Sequence, residues 1–282
     1  MKASPKVSAV NQESLSVDPV LRWAGGKRWL VSYLDEILRG LKFDNYIEPF
    51  FGGGAIFFKL INKPSILSDI NSELINTYIQ IKKNPDLVIH QLKSFPQSKE
   101  YYLKLREQEF EDKISMAARF IFLNKTSFNG LYRVNSKGKY NVPYGNKKFS
   151  INELASKIYL CSKKLNHAEL IVNDFEKILN RIKPKSLVYL DPPYTVTHNS
   201  NGFTKYNEKI FSLSDQIRLS QYIDKIDSTG AKFILSNADH KVIDSIFLKN
   251  YYKKSFSRSS VISGLLSSRG QYDEVIITNI KI

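Results

Sequence analysis

Asp191-Pro192-Pro193-Tyr194 brings together a carboxylate, two rigid turn residues and an aromatic ring, directly after the apolar run Leu187-Val188-Tyr189-Leu190. These side chains suit a flat, hydrogen-bonding molecule: the ring offers a face to stack on, and the acid accepts from an amino edge. A planar amine such as a nucleobase fits. The preceding run reads as a buried strand, and the prolines end it because neither can donate to a sheet ladder. The acid and ring therefore stand at the carboxyl end of a strand, where open α/β sheets bind ligands. Fixed proline dihedrals hold them there at little entropic cost. Taken alone, four residues fit equally well a strand-ending turn with a solvated acid.

A second constellation lies upstream. Tyr33 to Leu41 has apolar residues at helical spacing. Asn45 to Glu48 then reads as a short strand leading into Pro49-Phe50-Phe51-Gly52-Gly53-Gly54, and Ala55 to Ile61 as a helix. Ser65 to Asp69 reads as a strand ending in an acid, and Ser72 to Lys82 as a helix. Strand, Gly-rich turn, helix, strand and acid is the layout of a Rossmann-like ligand site, although no GxGxxG fingerprint is present. Glycines permit close backbone approach and positive φ, the helix start offers unpaired amides, and the acid suits ribose hydroxyls.

The elements that must carry these groups fit in 282 residues of 42% hydrophobic content, enough for one large or two modest cores. The single cysteine, Cys161, excludes an internal disulfide and points to a reducing compartment. No run approaches the length of a membrane span. The N-terminal stretch lacks the apolar core of a signal peptide, and residues 1–17 read as a loose polar tail. A formal charge of +15 favours polyanions through phosphate contacts and counterion release.

The middle of the chain is rich in Lys, Arg, Tyr and Phe. Met116 to Asn124 reads as an amphipathic helix. Beyond it, Tyr132 to Asn135 and Lys139 to Val142 flank the turn signal Ser136-Lys137-Gly138, which predicts a β-hairpin carrying cations, amides and exposed aromatics. Such a ribbon can enter a DNA major groove, with Arg forking onto guanine and an aromatic wedging between bases. Lys232 to Asn237 reads as a further core strand and Glu274 to Asn279 as an antiparallel edge or meander strand. Ser255 to Gly270, Ser- and Gly-rich without period, reads as a loop. The four histidines show no metal-ligand spacing.

In this order the motifs are specific. From Pro19 to Asn279 the chain resembles the Dam-type (D12 class, alpha group) adenine-N6 DNA methyltransferases. The resemblance rests on Arg22-Trp23-Ala24-Gly25-Gly26-Lys27, the Glu48 to Gly54 turn, Ser68-Asp69-Ile70-Asn71, the Asn129 to Gly145 hairpin, Asp191-Pro192-Pro193-Tyr194 and Phe203-Thr204-Lys205-Tyr206. It implies an α/β, Rossmann-like S-adenosylmethionine-dependent methyltransferase fold with a mainly helical, hairpin-bearing DNA-recognition insert. The catalytic domain would comprise residues 18–83 and 167–282, and the insert residues 84–166. S-adenosyl-L-methionine is the implied methyl donor and no metal is implied. Trp23 and Lys27 would border the donor's methionine end, and Phe50, Gly52 and Gly54 would form its floor. Asp69 would hold its ribose, and Asp174 with Phe175 would lie beside its adenine, with Asp191 nearby.

By the same likeness the target adenine is flipped out of the duplex. Tyr194 would stack on it, while Asp191 and the Pro192 carbonyl accept from its amino group. Phe128, Asn129, Leu131, Arg133 and Pro143 match the base-contacting positions of enzymes that methylate GATC, and Lys137, Lys139, Lys147 and Lys148 would grip phosphates. The implied partners are double-stranded DNA and a possible cognate restriction endonuclease, in the cytoplasm of a bacterium or phage-infected host. Two departures stand out: three consecutive glycines where relatives vary among Gly, Ala and Cys, and a longer N-terminal tail. The alternatives are a DNA-binding protein that has lost transfer, or a methyltransferase acting on RNA or a protein amide. Asp rather than Asn at position 191 weighs against the protein amide.

Overall fold

A computed structural model describes residues 16–194, 211–247, 250–259 and 271–282. Its centre is a seven-stranded sheet in the order β3-β2-β1-β4-β5-β7-β6. The strands are β1 (Asn45–Glu48), β2 (Ser65–Asp69), β3 (Ala168–Val172), β4 (Ser186–Leu190), β5 (Lys232–Ala238), β6 (Tyr252–Ser259) and β7 (Gln271–Thr278). The first five run parallel, with Ile47 opposite Ile66 and Val188. β7 runs antiparallel between β5 and β6.

All five residues of β4 are buried, as expected of a strand covered on both faces. Its side chains alternate between two cores. Leu187 and Tyr189 join one with Tyr46, Ile234 and Ile276. Val188 and Leu190 join the other with Ile47, Phe233 and Leu235. The second core is closed by α8 (Leu213–Ser228), which begins with a capping box between Ser212 and Asp215.

The first core continues without a break into the middle of the chain. There α3 (Ser72–Lys83), α4 (Pro85–Lys93), α5 (Lys99–Glu107), α6 (Lys113–Thr126) and α7 (Ile151–Leu165) pack together, after α1 (Val31–Leu38) and α2 (Ala55–Leu60). Helix α6 differs from the amphipathic expectation. Ala117, Ala118 and every residue from Phe120 to Asn124 are buried, because α3, α4 and α5 surround it. A short helix, α9 (Lys241–Ile246), follows β5.

Three further expectations need correction. Val17 belongs to the core and donates its amide to the Phe58 carbonyl at 2.9 Å, so the loose tail does not extend to it. Ser255 to Ser259 lie in β6, where alternation with β7 decides the conformation despite a loop-like composition. Of the two readings of the antiparallel strand at Glu274 to Asn279, edge or meander, only the edge fails: β7 pairs with the preceding β6 and is internal, and β6 forms the edge. Phe203-Thr204-Lys205-Tyr206 lies outside the described residues. No helix among the described residues is long and apolar enough to cross a membrane.

Candidate active site

The carboxyl ends of β1, β2 and β4 carry the candidate groups. After β1 the chain turns through Gly52 (φ 47°) and Gly54 (φ 65°), and Gly54 caps α2. These angles disfavour any side chain. The close approach expected of the glycines is made by Trp23, since a Cβ on Gly52 would lie 2.8 Å from its Cδ1. The indole also stacks on Tyr132, with centroids 5.5 Å apart, which joins the turn to the hairpin.

Asp69 ends β2 and faces this turn. One carboxylate oxygen accepts from the Gly52 amide and the other from the Asn71 amide, each at 2.9 Å. Burial raises its pKa, and these amides act against the rise. Asp69 therefore latches the Gly-rich turn to the end of β2. Ile70, next to it, is 76% exposed, an apolar side chain held in solvent at the strand ends. Asp174 follows β3 and caps a 3₁₀ turn, accepting from the Glu176 amide at 3.0 Å. Arg218 on α8 reaches back to Asp174 at 2.9 Å and Glu176 at 2.7 Å, and its guanidinium lies 5.0 Å from the Phe175 ring centre. Phe50 packs on Phe175 at 5.2 Å.

Asp191-Pro192-Pro193-Tyr194 emerges from β4 as expected, and Lys27 meets it. The Lys27 ammonium is 3% exposed. It lies 3.0 Å from Asp191, 3.4 Å from Glu274 and 2.9 Å from the Gly25 carbonyl, and 4.7 Å from the Tyr194 ring centre. Burial alone would lower its pKa, but Asp191, Tyr194 and Glu274 outweigh burial and raise it. Lys27 is thus a fixed cation against the candidate acid. The Tyr194 hydroxyl donates to Glu274 at 2.7 Å and sits 3.1 Å from Ser236. Burial raises its pKa, so it stays a neutral phenol. Behind this group Tyr46 donates to Glu48 at 2.8 Å. Burial lifts the Glu48 pKa well above the ordinary carboxylate range, with Asp191 and Asp69 adding to the rise.

The expected DNA-reading residues lie together on one ribbon. The Phe128 amide donates to the Pro143 carbonyl at 2.9 Å, and Asn141 donates to Arg133 at 3.0 Å. The pairing consists of isolated bridges, Ser127 to Tyr144 and Val134 to Tyr140, in place of two continuous strands. Phe128 is 48% exposed and Asn129 takes a positive φ of 54°. Arg133 is exposed and docks its Nε on the Asn141 amide oxygen at 2.8 Å. Leu131 is half-buried and Pro143 exposed. Lys137, Lys139, Lys147 and Lys148 are all exposed, and Lys139 lies 3.3 Å from Glu109.

Sequence reasoning missed Glu274, Ser236 and Arg218. The only available signal for Glu274 was an acid opening an apolar strand.

Strand order, the internal antiparallel β7, the Gly-rich turn after β1 and the acid after β2 together define a Rossmann-like methyltransferase fold. The family model for D12 class N6 adenine-specific DNA methyltransferases matches residues 23–262. Type II methyltransferase M1.LlaDCHI of Lactococcus lactis subsp. cremoris is 36% identical over 97% of this chain and 99% of its own length. Type II methyltransferase M.MjaIII of Methanocaldococcus jannaschii is 39% identical over 79% of the chain and 85% of its own. A DNA adenine methylase of Vibrio cholerae is 34% identical over 78% and 80%. The chain belongs to the D12 class of N6 adenine-specific DNA methyltransferases, a family that generally uses S-adenosylmethionine.

Proposed function

We propose that this chain transfers a methyl group from S-adenosylmethionine to the exocyclic nitrogen of an adenine flipped out of double-stranded DNA, within GATC. The observation that carries this reading is the meeting of Asp191, Tyr194 and Lys27 at the end of β4, with the Gly-rich turn and Asp69 on neighbouring strands.

The residues present fit the donor. The Gly52 to Gly54 turn, the Asp69 carboxylate and the exposed Ile70 suit a nucleoside, with Asp174 and Phe175 on the next strand end. Trp23 and Lys27 border the methionine side. When bound, S-adenosylmethionine supplies an electrophilic methyl group on sulfur. Asp191 and the Pro192 carbonyl accept from the adenine amino group and direct its nitrogen lone pair, a positioning effect. Tyr194 stacks on the base, its ring set by the bonds of its hydroxyl. Lys27, 3.0 Å away, holds the Asp191 carboxylate in place as an acceptor.

Residues 84–166 serve as the recognition part, although their helices share a core with α3. Arg133 reads a guanine, Leu131 touches a thymine methyl, and Phe128 fills the gap left by the flipped base. Asn129 and Pro143 complete the reading surface. The lysines grip phosphate without reading sequence. A cognate endonuclease acting on the same site is in keeping with the Type II names of two relatives.

The test is expression in a host without DNA methylation, followed by sequencing with modified-base detection. Methylated adenine within GATC is expected. Methylation mainly at other sites would overturn the site and leave the reaction.

A further inference from the structure

Glu274 lies eighty residues beyond Tyr194 in the chain, on β7, yet it is the group that holds Tyr194. Its side chain is 2% exposed. One carboxylate oxygen, Oε2, accepts from the Tyr194 hydroxyl at 2.7 Å and stands 3.4 Å from the Lys27 ammonium. Lys27 in turn contacts Asp191 at 3.0 Å. One buried oxygen thus joins the aromatic ring, the fixed cation and, through that cation, the acid.

The surrounding backbone makes this anchor stiff. Glu274 pairs with Ala238 on β5 and with Phe256 on β6, so strands flank it on both sides. Ser236, on β5, stands 3.1 Å from the same Tyr194 hydroxyl. The prolines fix the start of the Asp191 to Tyr194 turn, and β7 and β5 fix its far end. A buried acid is costly unless it is paired, and two of its partners, Tyr194 and Lys27, belong to the candidate active site.

We propose that Glu274 is a positioning residue for methyl transfer. Through the Tyr194 hydroxyl it sets the plane on which the target base stacks, and through Lys27 it sets the place of the Asp191 carboxylate. This rests on the roles given to Asp191 and Tyr194 above.

The test compares four full-length enzymes, Glu274→Gln, Tyr194→Phe, the double variant and Asp191→Ala, with the unsubstituted protein. Single-turnover methyl transfer, donor affinity, KM for duplex DNA and melting temperature are measured on each. Glu274→Gln and Tyr194→Phe should each slow single-turnover transfer by about tenfold or more. Donor affinity and KM should stay within about twofold. The double variant should be no slower than the slower single variant, because Glu274→Gln takes the charge from, and Tyr194→Phe removes, the same hydrogen bond.

A purely structural role would lower the melting temperature and leave the rate per bound complex intact. Wild-type single-turnover transfer by Glu274→Gln overturns the proposal, and so do losses that multiply in the double variant. If Gln at 274 prevents folding, Tyr194→Phe decides, and transfer at the wild-type rate overturns the proposal. Failure of the underlying reading has its own signature, an Asp191→Ala enzyme that still transfers.

Discussion

Lys27 and Lys125 are both drawn away from solvent, one at the candidate catalytic edge of the sheet and one where α6 leads into the ribbon. At Lys27, burial is outweighed by Asp191, Tyr194 and Glu274, and the ammonium is held more firmly than in water. At Lys125, burial comes first and Arg22, Lys157 and Arg28 push the same way, lowering its pKa to about 8. The candidate catalytic edge sets its buried cation against carboxylates of its own. The root of the ribbon concentrates charge of one sign, and the surrounding fold offsets the cost. One residue type therefore stabilises one region and weakens the other.

Removing the acid from the catalytic edge should have the largest effect. Asp191→Ala is expected to lower the single-turnover rate by about two to three orders of magnitude, with donor and DNA binding largely kept. A near wild-type rate would end its assignment. Lys27→Met leaves Asp191 and Glu274 facing each other without their cation, and should destabilise the fold by about 3–5 kcal/mol in urea titrations. A loss under 1 kcal/mol would mean that the edge is not balanced as described.

Asp69→Ala should weaken S-adenosylmethionine binding by about 1.5–3 kcal/mol. Because Asp69 also holds the Gly52 and Asn71 amides, the melting temperature should fall as well. A lower melting temperature with unchanged donor affinity by calorimetry would leave Asp69 as a latch alone. On the ribbon, Arg133→Ala should relax discrimination at the guanine by about 1–3 kcal/mol, while Lys137→Ala should weaken all sequences alike. Equal effects from the two in competition binding would remove the distinction between reading and gripping.

The smallest expected effect concerns Lys125, and its sign is opposite to that at Lys27. The folded-state value of about 8 lies below the ordinary 10.5. Between those pH values the unfolded chain binds more protons than the folded one, so this group's contribution to stability rises with pH. Below about pH 8 the burden is fully present. Lys125→Met should therefore raise the melting temperature at pH 7 and flatten the rise between pH 8 and 10.5. An unchanged pH profile would rule out Lys125 as its source.

The same two regions were unequally legible in the sequence. β1, β2 and Asp191 to Tyr194 could be read because short apolar runs stop at Pro, Gly or an acid, which is local information. The residues proposed to read DNA could be placed on one ribbon from a turn signal. Their bridge-only pairing could not, since it reflects how Tyr132 and Tyr140 tuck under the loop against Trp23 and Leu131. Glu274 and Ser236 were out of reach because strand order alone brings them to Tyr194. α6 was misread because helices on several sides erase the period that an amphipathic reading relies on.

The position of β7 bears on how an active molecule comes into being. β6 precedes β7 in the chain but reaches the sheet only through it. Until the segment from Gln271 to Thr278 inserts, β5 has an open edge, β6 has no partner in the sheet, and the Tyr194 hydroxyl lacks its carboxylate. Growing chains therefore have the parallel strands available before the tyrosine can be tethered. Acquisition of methyl transfer should coincide with release of β7, a timing that arrested-translation assays can follow.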